Sequence, residues 1–227
     1  MTDLPRMGIL GGTFDPVHYG HLDAARAAWR ALALDEVLLM PSREPPHKAS
    51  SGQVSSDHRL AMTSLAVSQH QELRASDLEL RSSAPSYTSR TLKRLARDGY
   101  DPSQLFFILG SDAFADIAQW YDYPDLLDRG HFAVVARRDC PVSDLPRRLP
   151  ALVGRMRRPE RSMFAGAPSA TTAIWLIEAE TRDVSSSVVR NRLAHAQSVD
   201  ELLPDAVAAY VARHGLYGSG TPGGSFA

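Results

Sequence analysis

The chain has 227 residues, of which 44% are hydrophobic, enough for one α/β domain with a buried core. With 25 Lys and Arg against 26 Asp and Glu, its formal net charge of -1 argues against binding to nucleic acid or to an anionic membrane surface. A lone cysteine, Cys140, excludes an intramolecular disulfide, and neither a signal peptide nor a run of about 18 apolar residues is found. We therefore expect a cytoplasmic protein without a membrane span.

The first half of the chain alternates short apolar runs with helical patterns. "MGIL" at the start is an apolar run stopped by two glycines, which is typical of a buried strand. The segment rich in Pro and Ser that follows the second strand predicts a loop. In chain order, the pattern predicts a strand at 7–10, a helix from Leu22, a strand at 36–40, a loop at 41–53, a helix at 55–69, a weaker strand at 73–76 and a helix at 86–100 that ends near Gly99.

The second half continues the alternation and adds one irregular stretch. "LFFILG" is the clearest buried strand in the chain. Residues 141–170 are rich in Pro and Arg and are interpreted as a surface excursion, and residues 218–227 have the Gly/Ser composition of a disordered tail. The elements predicted here are strands at 105–110, 132–137 and 173–180 and helices at 112–120, 185–196 and 205–217.

This pattern predicts a single α/β domain over residues 1–217. Strands that are apolar throughout and alternate with helices indicate a parallel sheet covered on both faces. With right-handed crossovers, the result is a Rossmann-like doubly wound sheet with helices on both faces. Ligands bind such sheets at the carboxyl ends of the strands.

The stretch "GGTFDPVHYGHL", residues 11–22, follows the first predicted strand and opens the first helix. Its glycines and the helix N-terminus can present N–H groups to a phosphate, yet it lacks both Gly-x-Gly-x-x-Gly and the Gly-Lys-Ser/Thr of a P-loop. His18 and His21 stand three apart, on one helix face, where imidazoles can donate hydrogen bonds to phosphate oxygens. Two such histidines can also be metal ligands or surface residues, but no third ligand is apparent nearby.

The stretch resembles the His-x-Gly-His signature of the nucleotidylyltransferase superfamily, and more narrowly that of the bacterial nicotinate-nucleotide adenylyltransferase family. Further blocks resemble that family in order and spacing, from about Met7 to Tyr217. They are "PSREPPHK", "DHRLAM", "LELRSSAPSYTSRTL", "FFILGSDAFADIAQWYDY", "VSSSVVRNRL" and "LLPDAVAAYVARHGLY". The resemblance implies adenylyl transfer from ATP to nicotinate mononucleotide, which gives deamido-NAD and pyrophosphate in NAD biosynthesis, by direct in-line attack without a covalent intermediate.

The resemblance also implies which residues bind ATP. His18, His21 and Arg190 take the catalytic roles, and "VSSSVVR" resembles the family's second signature, with Ser187 in place of Thr and Val184 in place of Ile. An ordinary serine helix cap is the alternative for the serines. Lys48 is a candidate phosphate ligand, with a solvated surface lysine as its alternative. The implied ATP- and phosphate-binding residues are Gly11, Gly12, Thr13, Gly20, Lys48, Ser185, Ser186 and Ser187.

For the pyridine mononucleotide, the resemblance implies that Thr88 holds the nicotinate carboxylate and that Trp120 and Tyr121 rest against the ring. Asp112 follows a buried strand, where a carboxylate commonly binds a ribose hydroxyl. Arg90 stands where the family often has Asp and is left out of the site. Mg²⁺ is implied as a companion of ATP, held by phosphates and water without a protein metal site. A homo-oligomer is compatible with the sequence.

Three other functions were weighed. Another adenylyl- or cytidylyltransferase, such as the phosphopantetheine enzyme, would lack the "SYT" and "QWYDY" blocks. A non-catalytic nucleotide sensor on the same fold would be favoured by loss of His18, His21 or Arg190, and all three are present. A hydride-transferring enzyme lacks its glycine fingerprint here.

Overall fold

The structure, a computed structural model, describes residues 5–43, 54–82, 84–160 and 171–218. Its core is a seven-stranded sheet in which every pairing is parallel, with strand order β3-β2-β1-β4-β5-β7-β6. The strands are β1 (Met7–Gly12), β2 (Glu36–Pro41), β3 (Leu73–Ala75), β4 (Leu105–Gly110), β5 (His131–Val135), β6 (Met156–Arg157) and β7 (Ile174–Ile177).

Helices join the strands and cover the sheet. The α-helices are α1 (Tyr19–Ala31), α2 (Ser56–Val67), α3 (Thr88–Arg97), α4 (Ser111–Phe114), α5 (Leu145–Arg148), α6 (Ser186–Ala194) and α7 (Asp205–Arg213). Short 3₁₀ turns lie at Pro102–Gln104, Ile117–Gln119, Asp125–Asp128, Val142–Asp144, Pro150–Arg155 and Leu216–Gly218. None of the helices in the described part of the chain is long and apolar enough to cross a membrane.

Side chains alternate between the two faces of the sheet, and each face buries its own cluster. In β1, Leu10 packs into the cluster that holds α1, α2, α6 and α7, whereas Ile9 packs into the cluster that holds α3 and the segments after β4. In β4, Ile108 packs into the first of these clusters and Phe107 into the second. Because both faces are buried, β1 and β4 carry no polar side chain, and β2 and β5 carry one each, at their first residue. The predicted Rossmann-like doubly wound sheet with helices on both faces is confirmed.

One predicted helix is broken. The pattern over 112–120 favoured one continuous helix, but α4 ends at Phe114 and a separate 3₁₀ turn covers Ile117–Gln119. Trp120 is then extended, with φ −75° and ψ 147°. Phe114 and Ile117 are both fully buried, so the apolar spacing is real although the backbone is not regular. The break directs Trp120 and Tyr121 back toward the end of β4.

Residues 141–160, expected as part of a surface excursion, are mostly exposed or half-buried, but a few buried side chains and a short strand anchor them to the sheet. Val142 and Leu145 are fully buried, and Met156 starts the edge strand β6, which pairs with β7. The Pro and Arg residues here belong to short turns around these buried residues. The composition of the segment therefore did not reveal its buried positions. The rest of the expected excursion (161–170), the tail from 219 onward and most of the predicted loop (44–53) lie outside the described residues.

The sheet has its switch point between β1 and β4. From β1 the chain first builds outward through β2 and β3 and then returns to place β4 on the other side. Connections that leave in opposite directions open a crevice at the carboxyl ends of the two strands. Those ends are Gly11 and Gly12 on β1 and Gly110 on β4.

Candidate active site

A cavity of about 310 Å³ lies at this switch point. That volume is at the lower end of the range for small-molecule sites. Several residues selected from the sequence line it: Gly11, Gly12, Thr13, His21, Thr88, Asp112, Trp120 and Tyr121. The other selected residues, His18, Gly20, Ser185, Ser186, Ser187 and Arg190, lie outside its lining, and Lys48 is outside the described residues.

Glycine at the end of β4 lets two charged side chains reach over the cavity. A Cβ on Gly110 would overlap Asp112 Oδ1 and lie 2.9 Å from Arg137 Nε, so any other residue there would displace these two side chains. Arg137 Nε and Asp112 Oδ1 are 4.0 Å apart. The strand end therefore presents a carboxylate and a guanidinium side by side, one suited to hydroxyl groups and the other to a phosphate.

The two histidines of the signature stack on each other at the start of α1. Their ring centroids are 3.7 Å apart, and the His18 main-chain N–H donates to Nδ1 of His21 at 3.2 Å. Because Nδ1 of His21 accepts, a proton carried by the ring sits on Nε2. His21 lines the cavity and can therefore present a donor to an anion bound there.

His18 is a buried neutral residue rather than a cavity-lining one. It is 2% exposed, and burial, with a smaller contribution from Arg137, lowers its pKa to about 3. Its Nδ1 is buried and has no hydrogen-bond partner among the described residues. A Cβ on Gly20 would lie 3.2 Å from this atom and 3.0 Å from the Arg182 carbonyl oxygen. Gly20 thus makes room here for the His18 ring and the Arg182 carbonyl.

The second signature lies at the start of α6 and contacts the glycine loop, residues 11–18. The Oγ of Ser185 caps the helix by accepting from the Val188 N–H at 3.3 Å. Ser186 Oγ donates to the Pro16 carbonyl at 3.0 Å, across 170 residues of chain. Arg190 donates from Nη1 to the Asp15 carbonyl at 2.7 Å and from Nη2 to Ser187 Oγ at 3.3 Å. Both helix starts therefore meet at this loop, where the positive end of each helix dipole favours an anion.

An aromatic wall closes the other end of the cavity. Trp120 packs edge-to-face on Phe107, with centroids 6.2 Å apart. Tyr121 stacks on Tyr87 with centroids 4.6 Å apart, next to Thr88, the first residue of α3. Tyr121 is 48% exposed, so this stack stands at the mouth of the cavity. The wall offers flat apolar faces beside the donors of a helix N-terminus, which suits an aromatic ring that carries an acceptor.

Sequence reasoning missed two charged residues of the cavity. Arg137 lies two residues after β5, and its place at the carboxyl end of a predicted parallel strand could have identified it. Glu79, in the "LELR" block, lines the cavity near Thr88; burial raises its pKa, and Thr91 Oγ1 donates to it at 2.6 Å. Nothing in the local pattern distinguished Glu79 from a surface residue.

Two other arginines lie outside the cavity lining but support it. Arg59 is 2% exposed and donates from Nη1 to the Thr13 and Ser42 carbonyls, both at 2.7 Å. Burial lowers its pKa, and its role is to fix the backbone of the glycine loop. Arg90, left out of the site on sequence grounds, lies 5.1 Å from the Tyr87 ring centroid and 5.5 Å from that of Tyr121. It covers the tyrosine stack from outside.

Comparison with known proteins shows which protein family the sequence matches. The cytidylyltransferase-like family matches residues 9–192. A protein of Roseiflexus sp. (strain RS-1) described as "Probable nicotinate-nucleotide adenylyltransferase" is 39% identical over 211 residues, which cover 93% of this chain and 97% of that protein. A protein of Pseudomonas syringae pv. tomato with the same description is 38% identical over 226 residues, 99% of this chain and 100% of that one.

Solved structures agree with the fold. The Plasmodium falciparum nicotinic acid mononucleotide adenylyltransferase complexed with NaAD superposes with a TM-score of 0.69 at 19% identity and covers 94% of this chain and 98% of that one. The same enzyme complexed with APC gives 0.68 at 18% identity, with 96% and 99% covered. At these identities the likeness concerns the arrangement of sheet and helices.

Proposed function

Because the chain belongs to the nicotinate-nucleotide adenylyltransferases of the cytidylyltransferase-like family, we propose that it transfers the adenylyl group of ATP to nicotinate mononucleotide, giving deamido-NAD and pyrophosphate in NAD biosynthesis. The observation that carries this proposal is that the cavity and the start of α6 both lie against the glycine loop. One side of the loop lines a cavity with an aromatic wall, and the start of α6 contacts the loop through Ser186 and Arg190. Two phosphorylated substrates can therefore approach one loop.

Nicotinate mononucleotide is assigned to the cavity. Its pyridine ring would lie against Trp120 and Tyr121, with its carboxylate toward Thr88 at the α3 N-terminus, where backbone N–H groups favour an anion. Asp112 at the end of β4 would accept from ribose hydroxyls. The phosphate would then point toward His21 and Arg137, the donor and the cation that line the same cavity.

ATP is assigned to the groove between the starts of α1 and α6. Ser185, Ser186 and Ser187 with Arg190 would hold the β- and γ-phosphates, because hydroxyls, N–H groups and a guanidinium converge there. Beside these helix starts lies a hollow lined by Tyr19, Arg182, Asp183, Val184, Glu201 and Leu202. We assign the adenosine end of ATP to this hollow.

The reaction needs positioning and charge stabilisation rather than a protein nucleophile. A phosphate oxygen of nicotinate mononucleotide attacks the α-phosphorus of ATP and forms a new P–O bond. The bond from the α-phosphorus to the bridging oxygen breaks, and pyrophosphate leaves with that electron pair. The Nε2–H of His21 would donate to the oxygens of the α-phosphate, where negative charge increases in the transition state.

Magnesium is proposed to enter with ATP. In the described ranges no three His, Cys, Asp or Glu side chains gather into a metal-binding group. Mg²⁺ keeps several waters and binds readily through substrate phosphates, so a dedicated protein site is not required. When bound, it would neutralise phosphate charge, while the protein's own groups hold the two substrates.

Product analysis tests the proposal and separates the rival functions. The protein with ATP, Mg²⁺ and nicotinate mononucleotide should release one pyrophosphate for each deamido-NAD formed, and none when the mononucleotide is omitted. Phosphopantetheine in place of the mononucleotide, or CTP in place of ATP, should give no comparable product. Turnover with either of these, or ATP binding without any turnover, would support the related transferase or the nucleotide sensor instead.

A further inference from the structure

A buried carboxylate lies inside the glycine loop, at Asp15. Its side chain is 3% exposed, and a charge so deeply buried is costly unless donors surround it. One donor comes from the far end of the chain, since the Tyr217 hydroxyl donates to Asp15 Oδ1 at 2.6 Å across 202 residues of sequence. Tyr217 lies in the 3₁₀ turn after α7.

The same residue is tied to the second signature. Arg190 Nη1 donates to the Asp15 carbonyl at 2.7 Å and lies 3.9 Å from Asp15 Oδ2. The two carboxylate oxygens therefore face different partners, with Tyr217 on Oδ1 and Arg190 on the side of Oδ2. A rotation that brings the carboxylate closer to the guanidinium would weaken its hydrogen bond from Tyr217.

The tyrosine is suited to a fixed donor role. Burial and the neighbouring carboxylate raise the pKa of the Tyr217 hydroxyl far above its usual range, so it keeps its proton at any physiological pH. Its backbone is in the left-handed region, with φ 60° and ψ 26°, an uncommon conformation for a non-glycine residue. A short, charge-assisted hydrogen bond from such a donor restrains the direction of the carboxylate.

We propose that Tyr217 is a positioning residue for ATP, which acts through Asp15 to keep the Arg190 guanidinium directed at the triphosphate. This inference rests on the proposed function, in which Arg190 holds ATP phosphates. Without the hydroxyl, the Asp15 carboxylate rotates toward Arg190 and competes with ATP for the cation. The C-terminal turn thereby becomes part of the ATP site, although it lies outside the cavity and outside both signatures.

Tyr217→Phe tests this, because it removes one hydroxyl and keeps the ring. Tyr210→Phe is the matched control: its hydroxyl, on α7, contacts His58 Nδ1 at 2.9 Å and is absent from the glycine loop's contacts in the described residues. We expect Tyr217→Phe to raise the KM for ATP and the calorimetric Kd for MgATP by about tenfold, which is the size expected for losing a hydrogen bond to a charged group. The KM for nicotinate mononucleotide should stay within about twofold on the same reasoning, and Tyr210→Phe should change neither.

A second pair of variants tests the route through Asp15. In an Asp15→Asn background the carboxylate charge that competes for Arg190 is gone, so adding Tyr217→Phe should change the Kd for MgATP by less than about threefold. Equal effects of the two tyrosine variants, equal changes for both substrates, or full additivity with Asp15→Asn would each overturn the inference. A wild-type protein that binds MgATP but forms no deamido-NAD would overturn the proposed function alone, because the calorimetric comparison does not need turnover.

Discussion

His21 faces the cavity through a ring whose Nδ1 is occupied by the main-chain N–H of His18. If its Nε2–H stabilises the α-phosphate, His21→Ala should lower kcat by about 100-fold or more, as loss of a transition-state donor does. The melting temperature should change little. His214→Ala, at an exposed position after α7, is the matched control and should leave kcat unchanged. Steady-state kinetics check this, and a His21→Ala enzyme within a few-fold of wild type would contradict the role.

His18 should make the stability of the fold depend on pH. Its pKa is lowered from 6.5 to about 3, so below pH 6.5 the unfolded chain takes up a proton that the folded chain does not. The free energy of unfolding must therefore fall as the pH falls through this window, by about 2 kcal/mol at pH 5 from this group. Urea unfolding at pH 7 and pH 5 should show a smaller pH dependence in His18→Asn than in wild type.

The free energy of unfolding of His18→Asn should still depend on pH. Burial also lowers the pKa of His131, to about 4, and this too makes the folded state less stable as the pH falls. An identical pH dependence in His18→Asn and wild type would show that His18 is not the buried neutral group described here. Sequence spacing placed both histidines of the signature on one face, which is correct. It could not show that one is buried and the other lines the cavity, since this depends on the ring stack and on Gly20.

At the scale of elements, the aromatic wall is attached to α3 through Asp122, which directly follows Tyr121. Its Oδ2 accepts from Ser89 Oγ and lies 3.0 Å from Lys93 Nζ and 2.8 Å from Arg129 Nη2. These partners, the Ser89 hydrogen bond foremost, lower the pKa of Asp122 well below its usual range. One carboxylate thus fixes the Trp120–Tyr121 segment relative to the helix that begins at Thr88.

Asp122→Ala should therefore loosen the two walls of the proposed pyridine site relative to each other. We expect the KM for nicotinate mononucleotide to rise by about tenfold, because a small misplacement of a binding group is costly. The KM for ATP should not change, since its proposed groups lie on α1 and α6. Asp125→Ala, an exposed carboxylate three residues on, serves as control. Substrate kinetics check this; a rise in both KM values would indicate general destabilisation.

The elements themselves were largely predictable, and the reason is local. Because both sheet faces are buried, β1 and β4 carry no polar side chain, and β2 and β5 carry one each, at their first residue. The periodicity of α1 and α3 follows from one buried stripe each. The region after β4 was not predictable in this way. Phe114 and Ile117 keep a helical spacing, but the chain leaves the helix so that Trp120 can return to Phe107.

At the scale of the whole molecule, contacts between distant segments complete the site. Arg59 fixes the glycine loop from α2, Arg190 from α6 and Tyr217 from the C-terminal turn. A single sequence carries no signal for such contacts beyond the presence of a charged or polar residue. Glu79 and Tyr217 lie inside blocks that resemble the family, and Arg137 lies at the end of a predicted strand, yet their contacts with the site became visible only in the folded arrangement.

The arrangement also bears on which pyridine is accepted. A nicotinate carboxylate only accepts hydrogen bonds, whereas a nicotinamide group also donates. The α3 N-terminus at Thr88 offers donors, and Arg137 adds a positive charge to the cavity. Glu79 brings an acceptor that sequence reasoning did not anticipate, but its carboxylate already accepts from Thr91 and its pKa is raised by burial. The donors at Thr88 and the positive charge of Arg137 still favour the carboxylate of nicotinate over the amide of nicotinamide.

The proposed nicotinate pocket is tested by kcat/KM for nicotinate mononucleotide and for its nicotinamide counterpart, each measured at saturating ATP and Mg²⁺. A site built around hydrogen bonds can reject a mismatched analogue by several orders of magnitude, and with Glu79 close by we expect a preference for the acid of at least about 100-fold. Comparable values for the two mononucleotides, or a preference for the amide, would contradict the assignment of Thr88, Trp120 and Tyr121 to a nicotinate pocket.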